Sequence, residues 1–426
     1  MRVLYSAAWW LALPAVLGRL WWRGRKEPGY RQHIAERLGF YPATTADRRS
    51  NSMIWVHAVS VGETRAAEPL IDALLHDYPD HTILLTHMTA TGRATGRALF
   101  ARHGARVVQC YFPYDTGWMV ARFIRHFAPR VCVLMETEVW PNAIAQCVHH
   151  RVPVILVNAR LSERSLAKAK KLSGLMGEAT RGIACVAAQT EADAERLRTL
   201  GAANVNVTGS IKFDIAPPPQ AIIAGTALRA QIGARPVLLC ASIREGEETL
   251  ILDAIASAET YDALIIIVPR HPQRFDEVAR LIAARGLSLC RRSTLNDAPV
   301  PSDVQILLGD SMGEMFAYYA ACDVAFIGGS LLPLGGQNLI EACAVGKPVL
   351  VGPHTFNFNA ISSDAIAADA ALRVTDAHAM LVQANTLLHS DDRRVKMGRN
   401  ALGFAHQHRG ATARTMVLLR PFLTSK

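Results

Sequence analysis

Short apolar runs alternate with longer amphipathic stretches along most of this chain. The runs Met53 to Ala58, Thr82 to Thr86, Val131 to Met135, Pro153 to Val157, Ala184 to Ala187 and Val205 to Thr208 come first. Their length and apolar continuity predict strands buried on both faces of a parallel sheet, with helices as crossovers. Pro217, Pro218 and Pro219 break the rhythm and predict a linker over 215–220. A second series then runs through Val237 to Ala241, Leu264 to Val268, Leu287 to Cys290, Val304 to Leu308, Val324 to Ile327 and Val349 to Val351. The expected fold class is α/β, with two doubly wound, Rossmann-like domains over 27–214 and 221–426 facing a cleft. Ligands of such sheets bind beyond the carboxyl ends of the strands.

The N-terminus follows a different pattern. Val3 to Trp22 is almost wholly apolar, broken only by Ser6, Pro14 and Arg19, and holds Trp9, Trp10, Trp21 and Trp22. That is close to the ~20 residues a spanning helix needs, so a membrane anchor is expected over 1–26. Arg19, Arg23, Arg25 and Lys26 follow the apolar core while only Arg2 precedes it, which leaves the large C-terminal part in the cytoplasm. A cleaved signal peptide would carry its charge on the other flank. A span is preferred to a helix lying in the membrane plane, although Arg19 and Pro14 weaken the span.

Composition narrows the partners. At 426 residues two cores are expected, and 50% hydrophobic residues exclude a disordered chain. The net charge of +10, from 46 Lys and Arg against 36 Asp and Glu, points to an anionic partner. Without a basic tract interleaved with aromatics, no nucleic-acid partner is expected. Cys110, Cys132, Cys185, Cys240 and Cys290 fall in or at the end of apolar runs and no Cys-x-x-Cys occurs, so they read as core residues of a reducing compartment. No His-Glu-x-x-His occurs, and no dedicated metal site is expected.

The candidate chemistry lies just after predicted strands. Phe326-Ile-Gly-Gly-Ser330, then Gly335-Gly-Gln-Asn-Leu-Ile-Glu341 and Gly346-Lys-Pro348, reads as strand, glycine-rich loop and capped helix. Gly328, Gly329, Gly335 and Gly336 would let backbone N–H groups approach an anion, with Asn338 as cap and Glu341 reaching ribose hydroxyls from the first turn. A surface turn before an ordinary helix is the competing reading. Val59-Ser-Val-Gly-Glu-Thr64 presents Glu63 at a helix start, as a base or simply a dipole partner. Glu136 and Glu138 point the same way if the segment is extended and would share a site; a helix-capping pair is the alternative. Lys212 is the cation best placed to face the cleft, unless it is only a solvated charge. Pro269-Arg-His-Pro272 stiffens Arg270 as a phosphate or base contact, with His271 as an orienting donor. Gly313, in Gly309-Asp-Ser-Met-Gly-Glu314, permits close approach of a flat base.

Six ordered motifs together closely resemble the 3-deoxy-D-manno-octulosonic acid (Kdo) transferases. They are Val59-Ser-Val-Gly-Glu63, Glu136-Thr-Glu-Val-Trp-Pro-Asn142, Asn158-Ala-Arg-Leu-Ser162, Gly209-Ser-Ile-Lys-Phe-Asp214, Pro269-Arg-His-Pro272 and Gly328-Gly-Ser330. The resemblance runs through nearly the whole chain. It implies a two-domain glycosyltransferase of GT-B type, with CMP-Kdo as donor and the lipid A precursor as acceptor at the cytoplasmic face of the inner membrane. By that likeness Glu63 matches a general base, and Glu136 and Lys212 match residues that stabilise the transition state. Pro269 and Arg270, then Met312, Gly313 and Glu314, then Asn338, Leu339, Ile340 and Glu341, match segments that contact CMP. Gln337 and Arg244 stand where many relatives carry His, so the likeness assigns them no role. No cofactor is expected, because a helix N-terminus and Arg270 would neutralise departing CMP without a metal. Two other readings are a UDP-sugar 2-epimerase, which shares the two-domain plan but gives no reason for an anchor, and a non-catalytic, membrane-tethered nucleotide-sugar binding protein.

Overall fold

The computed structural model describes residues 1–25, 27–42, 53–214, 216–258, 262–296 and 298–424; Lys26 of the expected anchor and Ile215 of the expected linker lie outside these. The first sheet contains β1 (Met53–His57), β2 (Thr82–His87), β3 (Val107–Tyr111), β4 (Val131–Met135), β5 (Val154–Ala159), β6 (Cys185–Ala188) and β7 (Val205–Val207). Its order is β3-β2-β1-β4-β5-β6-β7 and every pair is parallel. The second contains β8 (Val237–Ile243), β9 (Leu264–Pro269), β10 (Leu289–Arg291), β11 (Ile306–Leu308), β12 (Val324–Ile327), β13 (Val349–Val351) and β14 (Ala371–Arg373), in the order β10-β11-β9-β8-β12-β13-β14, again all parallel.

Helices cover both faces of each sheet, so successive strand residues serve opposite cores. Ile54 and Val56 enter one cluster with Leu70 and Ile71 of the helix Glu68–Asp77, while Trp55 enters the other with Phe123 of the helix Gly117–Phe127. This two-sided burial keeps the strands apolar throughout, at about 1.5–3 kcal/mol for each large aliphatic side chain removed from water. Two such sheets flanked by helices form a GT-B architecture. Chain order reverses between β1 and β4 in the first sheet and between β8 and β12 in the second. Those two reversals are where such folds place ligands.

The chain divides into two compact units, Met1–Asp214 with Arg409–Lys426, and Ile215–His408. The expected second domain over 221–426 is therefore corrected at its end: the last residues return to the first unit. The helix Ala411–Thr424 buries Ala411, Met416, Leu419 and Leu423 in the cluster that holds Ile54. Its N-terminal amides donate to Asp214, among them Ala411 N at 3.2 Å, and Arg414 Nε donates to the Thr208 carbonyl at 2.8 Å. The linker is shorter than expected, because Pro219 is the first residue of the helix Pro219–Ile232, where its missing N–H costs nothing. All cysteines are free, and all but Cys290 are buried.

Among the described residues a single apolar helix, Arg2–Arg23, has the length and composition of a membrane anchor.

Candidate active site

In the first unit, β1 ends at His57 and the chain turns through Ser60, extended at φ −123°, into the helix Val61–Ala66. Glu63 lies in that first turn. Its carboxylate folds back to accept from the Val59 amide and, at 3.3 Å, from the Ser60 amide. Burial pushes its pKa up to about 7; Glu138 adds to the rise, as Glu136 does more weakly, against the backbone hydrogen bonds that lower it. Glu63 is thus the dipole partner the competing reading required and also a carboxyl group whose pKa is raised close to neutral pH, where a general base is most effective.

Across the reversal, β4 ends at Met135 and Glu136 takes a left-handed φ of +57°. The left-handed turn re-aims the chain, and the buried Glu136 carboxylate meets Lys212 Nζ at 2.6 Å and Arg160 Nε at 3.5 Å. Burial likewise pushes Glu138 up to about 6, with the nearby Trp140 side chain opposing the rise and Glu136 adding to it. The structure therefore brings Glu63, Glu136 and Glu138 into one electrostatic neighbourhood. Neither Glu136 nor Glu138 caps the next helix, which starts at Pro141 with Trp140 as its N-cap. Lys212 is not a free solvated charge: Glu136 holds it.

Asn158 sets that geometry, a role that the sequence analysis did not assign. It is fully buried at φ +52°, and its Oδ1 accepts from Ser210 Oγ at 3.2 Å and Ile211 N at 3.1 Å, which fixes the turn Ile211–Phe213 that carries Lys212. Arg160, two residues on, supplies the second cation on Glu136.

In the second unit the glycine-rich loop differs from expectation. The Gly329 amide, read from the sequence as free for an anion, donates to the chain's own Glu247 at 2.6 Å, and the Leu331 amide donates to it at 2.9 Å. Arg244 N donates to the same carboxylate at 2.9 Å, so Glu247, fully buried after β8, ties the two sides of the reversal together. Gly328 serves close backbone packing: a Cβ there would lie 2.6 Å from the Ser242 carbonyl. Arg244 and Gln337 both border Gly329, whose added Cβ would stand 3.5 Å from Arg244 Cγ and 3.2 Å from Gln337 Nε2. His271 has its pKa lowered by burial and by the nearby Arg270 and Arg244, so two guanidinium groups gather beside this imidazole.

The remaining residues fall as follows. Pro269 is the buried last residue of β9, and Arg270 is exposed just beyond it. Asn338 is not the N-cap it was expected to be: Leu339 holds that position before the short helix Ile340–Ala344, while Asn338 Oδ1, one residue earlier, accepts from Ile340 N at 3.1 Å; Glu341 lies in the first turn, and Leu339 and Ile340 are buried. Gly313 has φ +83°, Met312 is exposed, and Glu314 is held by Ser311 and by Arg292 at 3.2 Å. Among the described residues no group of three His, Cys, Asp or Glu is placed to hold a metal ion.

Residues 32–215 match the family described as 3-Deoxy-D-manno-octulosonic-acid transferase (kdotransferase). The chain is 45% identical over 429 residues to the 3-deoxy-D-manno-octulosonic acid transferase of Bordetella pertussis, covering 99% of both chains. It is 36% identical over 428 residues to that of Haemophilus influenzae, again covering 99% of both. Among solved structures it resembles UDP-GlcNAc 2-epimerase from Neisseria meningitidis bound to UDP-GlcNAc, with a TM-score of 0.57 and 16% identity over 87% of this chain and all of the other. At that identity the likeness extends to the fold alone.

Proposed function

The chain belongs to the 3-deoxy-D-manno-octulosonic acid transferases, and from that premise we propose that it transfers Kdo from CMP-Kdo to the lipid A precursor, lipid IVA, with inversion, at the cytoplasmic face of the inner membrane. The observation that supports the catalytic assignment is Glu63: a half-buried carboxyl group pushed up to about 7, at the carboxyl end of a strand beside the reversal, next to the Glu136–Lys212 pair. In the assigned reaction the acceptor hydroxyl oxygen bonds to the anomeric carbon of Kdo. The bond from that carbon to the CMP phosphate oxygen breaks, and the hydroxyl proton passes to Glu63. Lys212, positioned by Glu136, is assigned to offset substrate negative charge. Pro269 and Arg270, Met312 to Glu314, and Asn338 to Glu341 are assigned to CMP. The direct test is whether purified protein releases CMP from CMP-Kdo only when lipid acceptor is present. Release without acceptor, or none with it, would refute transfer.

Two expectations follow from these assignments. A base must be deprotonated to act, so kcat/KM rises about tenfold per pH unit below about pH 7, where Glu63 titrates, and levels off above it. A profile flat from pH 5.5 to 8 would remove Glu63 from the role. Arg270→Ala and Glu341→Ala each weaken CMP binding by about 1.5–3 kcal/mol, the worth of one charge-assisted hydrogen bond. Calorimetry with CMP alone measures this, and wild-type affinity in both folded variants would show that these segments serve something else.

A further inference from the structure

The N-terminal helix is clasped along its length. Tyr5, Trp9, Leu13, Val16 and Leu20 are half-buried and recur every three or four residues, which places them on one stripe facing the first unit from end to end. Polar contacts fasten both ends. Near the start, Arg2 pairs with Glu178 at 2.8 Å, and the Asn142 amide donates to Ser6 Oγ at 3.0 Å while Asn142 is itself pinned by Asp115. Near the end, Arg31 Nη2 donates to the Trp21 carbonyl at 3.1 Å and Arg23 lies over the Tyr30 ring at 4.4 Å. A helix of this length extends about 33 Å. If it crossed a ~30 Å hydrocarbon core, one of these two sets of contacts would have to break.

The opposite stripe, with Leu4, Leu11, Gly18 and Trp22, is exposed and apolar. A second exposed apolar feature lies close by. Trp118 follows the Tyr114–Asp115 segment, where Tyr114 meets Trp9 at 5.7 Å, and it pairs edge-on with Phe40 at 5.9 Å. Phe40 and Trp118 are 46% and 47% exposed, and Arg122 stacks over both rings. The carboxylates beside the helix, Glu178 and Glu27, are paired with Arg2 and Arg23, which leaves an excess of positive charge from Arg19, Arg25 and Arg122. Trp and Arg around an apolar stripe match the headgroup level of an anionic bilayer. Pro14, on the exposed side, gives no N–H to the Trp10 carbonyl, a deficit that the wet interface tolerates and the hydrocarbon centre does not.

We infer that the helix Arg2–Arg23 lies in the plane of an anionic phospholipid leaflet, seated on the first unit, and that the Phe40–Trp118–Arg122 patch completes the lipid-docking surface. This rests on the reading that the protein works at a membrane and departs from the expected span. The test uses the full chain in a Cys290→Ser background, spin-labelled at Leu4→Cys, Leu11→Cys or Gly18→Cys and bound to vesicles containing phosphatidylglycerol. An in-plane helix immerses the three labels equally. A spanning helix carries the Leu11 label about 10 Å deeper than the others and overturns the inference, while the membrane reading survives. Labels left in water at all three positions refute the membrane reading itself. Phe40→Ser with Trp118→Ser keeps turnover on detergent-dispersed acceptor and lowers vesicle partitioning roughly tenfold; unchanged partitioning removes the patch from the surface.

Discussion

Glu63→Gln is expected to lower kcat by roughly two to four orders of magnitude while CMP affinity stays at the wild-type value. The amide retains an oxygen to accept from the Val59 and Ser60 amides, so the turn that begins the helix keeps its shape. What it loses is the capacity to take a proton. The corresponding barrier increase is about 2.7–5.5 kcal/mol, at 1.36 kcal/mol per decade. CMP affinity is preserved because the segments assigned to the nucleotide belong to the second unit. The variant also loses the acidic limb of the pH profile, an effect a purely structural role would not produce. Stopped assays of kcat with calorimetry of CMP decide the matter, and a variant retaining more than about a tenth of wild-type kcat would end the assignment.

Much of the fold was legible because strands covered on both faces stay apolar without interruption, as in Val131–Met135 and Leu264–Pro269. The strands that escaped are edges. In β3, Gln109 interrupts the run and its Oε1 lies 3.3 Å from His87 Nε2, while β14 has only three residues, ending in a polar Arg373. Periodicity shows the apolar stripe of Ala411–Thr424 but not which core it fills, and Asp214, which fastens it, is distant in sequence. Glu63, Glu136 and Lys212 were visible as motifs, yet their coupling was not, because it depends on the left-handed turn at Glu136 and on Asn158 reaching the backbone of Ile211.

The glycine-rich loop leads to the other large expected effect. A sequence of Gly-Gly before a helix suggests amides waiting for a ligand anion, but in the structure a glutamate of the chain already accepts from Gly329 and Leu331. Glu247→Leu keeps much of the side-chain bulk and removes the acceptor, stranding the amides of Arg244, Gly329 and Leu331. A buried, unsatisfied donor costs about 1–3 kcal/mol, so the three together amount to several kcal/mol held at the reversal between β8 and β12. The expected result is a second unit that unfolds at clearly lower denaturant and binds CMP at least tenfold more weakly, because Arg244 and the Gly329 loop lose their common tie. Glu247→Gln retains one acceptor oxygen but turns an NH2 group toward an amide N–H, and falls between Leu and wild type. Denaturant unfolding followed in the second unit, with CMP calorimetry on the folded fraction, measures both. If Glu247→Leu unfolds at the wild-type midpoint and binds CMP as before, the loop is shaped by its glycine packing against Ser242 and Ile243, and the carboxylate is incidental.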